Sequence, residues 1–431
     1  MEPKYLKYTL KCGLKLLMIP IKNSLLSIQF TSKIGEDIER VNTKDLEIVH
    51  TLEHLFSHMT SEKYPNGREN IYTFNNLGID HSAEVTEIET KYNLFGHKKN
   101  IDIMFDMIIN TILYFKVDEN IFQTEKKAII QELNDIINDT WFNLDLALNE
   151  NMFPNHLRSV SQKEKKKNIK NLTSKQIYDF YKKNYSLTKS CLTITGDFDI
   201  KRTLKLIKNI FNSINNKNIN FYYKPIEFLP KIIHKKIESV STNIYIIFKL
   251  NINTYDSFYK NFVLLTDILT ENGLNSELYK VLRGKGLVYS VSSEVNTHPI
   301  RKDMSYFIIN TQTNNTNIIL VVKYILEVIN KFKQITFTKD YFNNIINNYE
   351  LEYYNNNNKN KISHYENLYT NYFLWDKPIK NNKDIFEKKK DINPNNISKT
   401  FNKLDFRNMS VIYGGTSNLN KKIKELLNKV N

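Results

Sequence analysis

The segment Leu192–Asp199, with the sequence LTITGDFD, joins an alternating apolar run to a glycine-aspartate turn. Apolar residues at helical spacing follow over residues 204–211, so this stretch predicts a strand, a tight turn and a helix. The same order returns near the C-terminus in Met409–Gly415, MSVIYGG, which is again followed by apolar residues at helical spacing. The turn residues of the two segments are Gly196 and Gly414.

A second pair of segments has the same offset. Ser27–Phe30 is strand-like, and the shift that carries Gly196 to Gly414 leads from it to Tyr245–Phe248, which is strand-like as well. Two independent segments with one offset predict an internal duplication. Chance similarity between short β–turn–α units is the alternative.

Each half begins with strand patterns and continues with helical ones. Alternating runs at Leu14–Ile19 and Leu25–Phe30 predict strands, whereas residues 101–115, 118–138 and 174–183 have the 3.6-residue periodicity of helices. Strands grouped apart from helices indicate an α+β fold. We therefore expect two duplicated domains, each with a mixed or antiparallel sheet covered by helices.

A polar stretch around residues 215–223, ahead of Pro225 and Pro230, marks the predicted boundary between the copies. The prediction is a first domain over residues 1–216, a linker over 217–228 and a second domain over 229–431.

The net charge of +15, from 61 basic and 46 acidic residues, is compatible with a nucleic-acid partner. The basic residues are nevertheless scattered beside acidic ones. A chain rich in Lys, Asn, Ile and Tyr also fits an A/T-rich gene. We therefore expect no nucleic-acid partner; the alternative would require a contiguous basic face.

The apolar residues and cysteines indicate the cellular compartment. No stretch approaches the length of about 18 uninterrupted apolar residues, so we expect no membrane span. The first residues lack the apolar region of a secretory signal. Only Cys12 and Cys191 are present, which favours small buried thiols in a reducing, cytoplasmic compartment over a disulfide framework.

The chemistry centres on His50-Thr51-Leu52-Glu53-His54. Residues four apart differ by only about 40° around a helix, so His50 and His54 can meet one cation. Glu53 lies about 60° to the other side, within reach of a water beside that cation. This H-x-x-E-H pattern is the inverted form of the common zinc-peptidase motif. A pair of surface histidines on a helix is the alternative.

A catalytic zinc ion requires a third protein ligand. On the helix predicted over 118–138, Glu125 and Glu132 share one stripe with the apolar Ile129 and Ile136. Carboxylates on an inward stripe imply a cation or hydrogen-bond partners, because unpaired buried charges are costly. We favour a metal role for Glu132, with Glu125 supporting the ligands. The alternative, ion pairs with the neighbouring lysines, is weaker because those residues point away.

With this motif and these downstream glutamates, the sequence resembles the insulinase/pitrilysin family of inverzincin metallopeptidases. The family pairs H-x-x-E-H with a downstream E-x6-E, which is the spacing of Glu125 and Glu132, and the separation of His54 from Glu132 is close to that of the family. Further matching segments occur in the order that the family requires: Ser61–Pro65, Gly78–Tyr92, Gly196-Asp197, Gly273–Tyr279 and Leu282–Tyr289.

The resemblance implies that His50, His54 and Glu132 bind one Zn²⁺ per chain, that Glu53 is the general base and that Glu125 orients the site. It implies a catalytic domain over 1–216. The second copy has no histidine at the corresponding positions and would be an inactive domain for substrate binding and packing. Relatives of this length are half-clamshells, so the resemblance implies a homodimer or a heterodimer with a related chain.

The substrate-binding residues depart from the family pattern. Ser82-Ala83 stands where the family usually has Asn-Ala on its substrate-binding edge strand. Arg283 and Tyr289 would brace the peptide or the oxyanion, but their spacing is one position shorter than the family pattern. The family glycine ahead of the first histidine is absent, and Leu46–Val49 precede His50 instead.

The predicted function is zinc-dependent hydrolysis of peptide bonds in short or unfolded polypeptides, or the processing of one precursor. By resemblance, a source in a large DNA virus would make that precursor a viral structural protein and the enzyme virion-associated. The alternative is a non-catalytic scaffold or partner subunit with the same fold. The intact zinc motif favours the enzyme.

Overall fold

The computed structural model describes residues 2–39, 46–137, 142–214, 219–221, 225–358 and 361–430. Five positions of the predicted linker, 217–218 and 222–224, lie outside the described residues. The expected α+β fold is confirmed, with two sheets and helices packed against them.

The strands form two sheets. In chain order they are β1 Leu6–Thr9, β2 Lys15–Pro20, β3 Leu25–Ser32, β4 Asp80–Val85, β5 Thr90–His97, β6 Ser190–Gly196, β7 Ile232–Lys236, β8 Ser241–Lys249, β9 Val288–Asn296, β10 Tyr306–Asn314 and β11 Met409–Gly415.

Helices make up most of the remaining described chain. In chain order they are α1 Ile48–Ser57, α2 Gly67–Leu77, α3 Ile101–Tyr114, α4 Glu119–Ile137, α5 Phe142–Met152, α6 Gln162–Asn171, α7 Ser174–Asn184, α8 Ile200–Phe211, α9 Tyr259–Thr266, α10 Ile318–Gln334, α11 Asn343–Asn358, α12 Lys361–Leu374, α13 Asn382–Lys390, α14 Pro394–Asn402 and α15 Asn420–Val430. Over the part of the chain that the structure describes, none of these helices is both long and apolar enough to cross a bilayer.

The two sheets repeat one topology. The first has the order β1-β2-β6-β3-β5-β4, and the second has the order β7-β11-β8-β10-β9. In each sheet one neighbouring pair is parallel, β2 with β6 and β7 with β11, and the other pairs are antiparallel. Apart from the extra edge strand β1, the orders correspond strand for strand, as a duplicated domain requires.

The single offset predicted from the sequence is only approximate. The start of β11 is slightly further from the start of β6 than the start of β8 is from that of β3. The equivalent turn glycines, each the last residue of its strand, are therefore Gly196 and Gly415 rather than Gly414. Both have a positive φ, 125° and 133°, a region that residues with a Cβ rarely adopt.

The chain forms two compact units, and neither is continuous in sequence. Unit 1 comprises Met1–Ile136, Ser161–Tyr223 and Tyr354–Ile385, and unit 2 comprises Ile137–Val160, Lys224–Tyr353 and Phe386–Asn431. Helix α12 thus packs in unit 1, and helix α5 packs in unit 2. The division into a catalytic copy and an inactive copy, with a linker at residues 217–228, stays a prediction.

The sheet of unit 1 has one apolar and one polar face. On β3, Leu26, Ile28 and Phe30 belong to the hydrophobic core, and α3 contacts the strand. Ser27, Gln29 and Thr31 alternate with them and are buried as well. Residues on a strand alternate between faces, so a second element has to cover the polar side. Helix α12 does so, with contacts to β2, β3 and β6.

A buried carboxyl group lies between α12 and this polar face. Glu366 is only 2% exposed, and Ser27 Oγ donates a hydrogen bond of 2.8 Å to its Oε2. Burial raises the pKa of Glu366 to about 8, although the hydrogen bond from Ser27 opposes that shift. The group is therefore protonated near neutral pH in the folded chain and ionised in the unfolded chain.

We expect Glu366→Gln to change how stability depends on pH. Because the folded chain keeps a proton that the unfolded chain loses, wild-type stability falls as pH rises from about 4.5 to about 8. Glutamine removes this penalty, so the variant should gain a few degrees in unfolding temperature over wild type near pH 8.5 and much less near pH 5.

Thermal unfolding at several pH values measures this difference. The exposed Glu69→Gln is the matched control, and we expect no gain in its unfolding temperature near pH 8.5. A Glu366→Gln difference that is the same at every pH would contradict the assignment.

Candidate zinc site

Helix α1 presents both histidines of the motif from one partly exposed edge. Its other side is buried through Val49, Leu52 and Phe56, and the helix contacts β4 and β5. The ring of Phe56 lies 4.5 Å from that of Tyr92 on β5. This apolar packing fixes the rotation of the helix about its axis, and the rotation decides where the polar edge points.

The two imidazoles face each other through the same ring nitrogen. His50 Nε2 and His54 Nε2 are 3.2 Å apart. The opposite nitrogens meet carboxylates: His50 Nδ1 lies 3.0 Å from Glu47 Oε2, and His54 Nδ1 lies 2.9 Å from Glu125 Oε2. An ionised carboxylate only accepts hydrogen bonds, so each Nδ1 carries the proton in a neutral ring and each Nε2 offers a lone pair.

Two facing lone pairs repel each other unless a proton or a metal ion lies between them. Zinc–nitrogen bonds of about 2.0–2.1 Å at a tetrahedral angle separate the nitrogens by about 3.3 Å. The spacing of the two Nε2 atoms therefore fits a shared zinc ion.

Two carboxylates, Glu132 and Glu53, lie beside the two imidazoles. On α4, Glu132 places Oε2 3.5 Å from His50 Nε2 and Oε1 3.8 Å from His54 Nε2. Glu53 Oε2 lies 3.8 Å from His54 Nε2. One ligand atom from each of His50, Glu53 and His54 falls within 4.8 Å of the others. Two imidazole nitrogens that offer lone pairs and the carboxylate of Glu132 suit a divalent cation, and Glu53 lies beside them.

The predicted inward stripe of α4 is only partly correct. Ile129 is fully buried, but Ile136 is 41% exposed. The side chain of Glu132 is 50% exposed, whereas that of Glu125 is 18% exposed. The proposed third ligand therefore lies at a solvent-accessible edge of the helix, as an open site requires.

Glu125 connects two histidines of α1. Its Oε2 faces His54 Nδ1, and its Oε1 lies 3.1 Å from His58 Nε2. Hydrogen bonds from His54 and His58 lower the pKa of Glu125 to about 2. His58 therefore supports Glu125 rather than facing the other imidazoles.

Burial raises the pKa of Glu53, against the opposing effect of His54. A carboxylate whose pKa is shifted towards neutrality accepts and returns a proton more readily near pH 7. Glu53 thus has the environment of a general base.

The predicted substrate strand lies at the edge of the first sheet. Ser82 and Ala83 are on β4, which pairs only with β5 among the described strands. Ser82 is exposed, whereas Ala83 is half-buried and packs on the core of unit 1. Since α1 also contacts β4, this edge lies beside the helix that carries the motif.

Arg283 and Tyr289 belong to unit 2. Arg283 Nη1 donates a hydrogen bond of 2.7 Å to the backbone oxygen of Tyr289, and its guanidinium lies 4.9 Å from the Tyr289 ring. Tyr289 lies near the start of the edge strand β9 and is 80% exposed. The structure thus joins these two residues to each other within unit 2.

Sequence reasoning missed a third carboxylate beside the motif. Glu47 is 1% exposed, contacts His50 and lies 3.0 Å from Lys165 Nζ. Burial opposes its charge, but the hydrogen bond from His50 and the charge of Lys165 lower the pKa of Glu47 to about 2. The position of Glu47, one helical turn before His50, was the available signal; Lys165 resembled part of a solvated lysine run.

Two protein-family models match the chain. The one described as insulinase (peptidase family M16) matches residues 42–162, and the one described as peptidase M16 inactive domain matches residues 171–349. Together the two ranges span well over half of the chain.

One curated relative is a zinc protease, PqqE, from Helicobacter pylori (strain ATCC 700392 / 26695). It is 22% identical over 224 residues, which are 50% of this chain and 48% of the relative. The match therefore spans about half the length of that protein.

Solved structures share the fold at low sequence identity. A protease from Helicobacter pylori has a TM-score of 0.80 at 18% identity, with 96% of this chain and 99% of that chain covered. A peptidase M16 inactive domain from Pseudomonas fluorescens has a TM-score of 0.81 at 14% identity, with 96% and 98% covered. The periplasmic protease PqqL from Escherichia coli has a TM-score of 0.77 at 14% identity, with 100% and 50% covered.

The matched ranges contain the H-x-x-E-H helix, the downstream glutamates and most of the second sheet, and the fold agrees over nearly the whole chain. The chain belongs to the insulinase family, peptidase family M16.

Proposed function

We propose that the chain is a zinc-dependent metalloendopeptidase that hydrolyses peptide bonds in short or unfolded polypeptides. The observation that carries the proposal is the 3.2 Å approach of two lone-pair nitrogens, His50 Nε2 and His54 Nε2, beside Glu132. His50, His54 and Glu132 would hold one zinc ion. Glu125 would orient His54 through its Nδ1.

When bound, zinc supplies Lewis-acid chemistry, which polarises the scissile carbonyl and makes a water molecule acidic near neutral pH. Glu53 accepts the proton from the attacking water and later delivers it to the leaving amine. Its raised pKa suits both transfers, since the group has to be ionised at the start and protonated midway.

The substrate would add to the first sheet as an extended strand beside β4. The edge at Ser82 and Ala83, which no other described strand covers, offers backbone hydrogen-bonding groups, which give affinity with little dependence on sequence. Such binding requires an extended peptide and therefore favours short or unfolded substrates over folded domains. Processing of one specific precursor uses the same edge. The similar proteins named above are bacterial and do not support a viral precursor.

Tyr289, with Arg283 packed against it, would brace the peptide or the oxyanion from unit 2. A tyrosine hydroxyl that stabilises an oxyanion acts in the transition state, so Tyr289→Phe should lower kcat by about tenfold or more with KM nearly unchanged. The exposed Tyr72→Phe, on α2, is the matched control. A loss confined to KM would assign Tyr289 to peptide binding instead.

The two copies would have different roles. We propose residues 1–216 as the catalytic copy, 217–228 as the linker and 229–431 as an inactive copy for substrate binding and packing. Within the described residues, the group of potential metal ligands lies in the first copy. A homodimer, or a heterodimer with a related chain, is the proposed assembly. The cytoplasmic location stays a prediction, because one structural neighbour is a periplasmic protease.

The first experiment combines metal analysis with a peptidase assay on wild type and Glu53→Gln. Both proteins should bind one zinc per chain, because Glu53 is not a proposed ligand. Cleavage of unstructured peptides should fall by about 10²- to 10⁴-fold in the variant, the usual value of a general base. Glu69→Gln should match wild type in both measurements.

The alternative, a non-catalytic scaffold or partner subunit, gives a different result in the same experiment. Zinc binding without turnover in any assay would favour that alternative or a missing partner chain. Absence of zinc from wild-type protein would contradict the site itself.

Strand addition predicts an alternating response to substrate N-methylation. Successive residues of an added strand point their N–H groups to opposite sides, so only every second N–H pairs with β4. Each lost hydrogen bond is worth about 0.5–1.5 kcal/mol, so methylation at those positions should raise KM about two- to tenfold. Assays on peptides methylated at single positions measure the pattern. Methylation at the peptide ends is the control, and equal sensitivity at all positions would contradict strand addition.

A further inference from the structure

The residue that starts helix α1 has an unusual backbone. Glu47 is the N-cap of α1 and lies in the left-handed region, with φ 67° and ψ 9°. Glycine adopts this conformation without strain, but a residue with a Cβ does not. In the segment where the family has a glycine ahead of the first histidine, this chain thus has a glutamate in a conformation that glycine would adopt more easily.

The contacts of the Glu47 side chain explain why a glutamate stands at this position. It is 1% exposed, and its Oε2 lies 3.0 Å from His50 Nδ1. This contact matches the one between Glu125 and His54, so each proposed histidine ligand has its own carboxylate. A carboxylate at Nδ1 fixes the ring orientation and directs the Nε2 lone pair at the metal.

A buried carboxylate requires a counter-charge, and helix α6 supplies it. Lys165 Nζ lies 3.0 Å from Glu47 Oε1, and the lysine side chain is only 12% exposed. One turn later on the same helix, the Asn168 side-chain amide donates a hydrogen bond to the backbone oxygen of Leu46. Helix α6 therefore holds both the side chain of Glu47 and the backbone just before it.

The start of α1 is held from the other side by Glu39. Its Oε2 accepts a hydrogen bond of 2.9 Å from the Glu47 N–H, and its Oε1 accepts one of 2.8 Å from the Val49 N–H. These are N–H groups that a helix N-terminus leaves without backbone partners. With its backbone fixed, Glu47 has little freedom to turn away from His50.

We propose that Glu47 is a positioning residue for the zinc site, which orients His50 as Glu125 orients His54, and that Lys165 holds its carboxylate in place. This inference rests on the proposed zinc-dependent function. Glu47 contacts neither the substrate nor the reacting atoms; it acts through the imidazole of His50.

The test measures zinc affinity by chelator competition, together with thermal unfolding of the metal-free protein, for wild type and variants at residue 47. Loss of a carboxylate behind a histidine ligand typically weakens metal binding about 10- to 100-fold. Glu47→Ala and Glu47→Gly should both show that loss. Glu47→Gln keeps an acceptor for Nδ1 and should lose less. The exposed Glu69→Gln should retain wild-type affinity.

The pair Glu47→Ala and Glu47→Gly separates positioning from a merely structural role. Glycine removes the left-handed strain that alanine keeps, so the metal-free glycine variant should unfold at the higher temperature of the two. Positioning predicts equal zinc affinities for both variants despite that difference. Zinc affinity that follows unfolding temperature, or that stays at the wild-type value in Glu47→Ala, would overturn the inference.

The outcome is independent of catalysis. A wild-type protein that binds zinc but cleaves no peptide would favour the non-catalytic alternative or a missing partner chain over the proposed function, while the order of zinc affinities would still support the inference. A wild-type protein that binds no zinc would overturn both.

Discussion

The 3.2 Å approach of His50 Nε2 and His54 Nε2 is the constraint on which the organisation of unit 1 around α1 depends, because two facing lone pairs repel each other unless a proton or a metal ion lies between them. Apolar packing of α1 against β4 and β5 sets the rotation of the helix. Carboxylates on either side, Glu47 and Glu125, fix the ring tautomers. Helix α4 brings Glu132 to the same point. The imidazoles and carboxylates of the candidate site come from several elements. The distances between these groups therefore depend on how tightly each element is packed.

The two units differ in the chemistry of the sheet face that a helix covers. Each sheet has a second face that a helix from the other half of the sequence covers: α12 in unit 1 and α5 in unit 2. In unit 2 the covered face is apolar: Ile247 and Ile308 on the sheet pack in one hydrophobic cluster with Leu144 on α5. In unit 1 it is polar, with Ser27 bonded to Glu366 and Thr193 bonded to Thr370. The same topology therefore has an apolar interface in unit 2 and a polar interface in unit 1, the unit that contains the candidate zinc site.

Much of the fold and of the candidate site follows from local patterns. The alternating runs of β2 and β3, the periodicity of α3, α4 and α7 and the spacing of the motif all express short-range rules. Errors arose where long-range packing decides the outcome. Ile136 continues the apolar stripe of α4 in sequence, but it is exposed near the end of the helix. The repeat offset differs between the two pairs of equivalent strands because insertions between strands do not disturb the pairing of a sheet.

The sequence by itself determined the α+β class and the duplication, and it predicted His50, Glu53, His54, Glu125 and Glu132 as the candidate site, because these depend on residue type and on helical or strand period. Only the tertiary structure decided which carboxylate faces which ring nitrogen. It also decided that Lys165 is buried beside Glu47 and that α12 and α5 each pack in the unit formed mainly by the other half of the sequence. These features join residues that are far apart in the chain. Such contacts follow from the packing of whole elements, which no local pattern in the chain specifies.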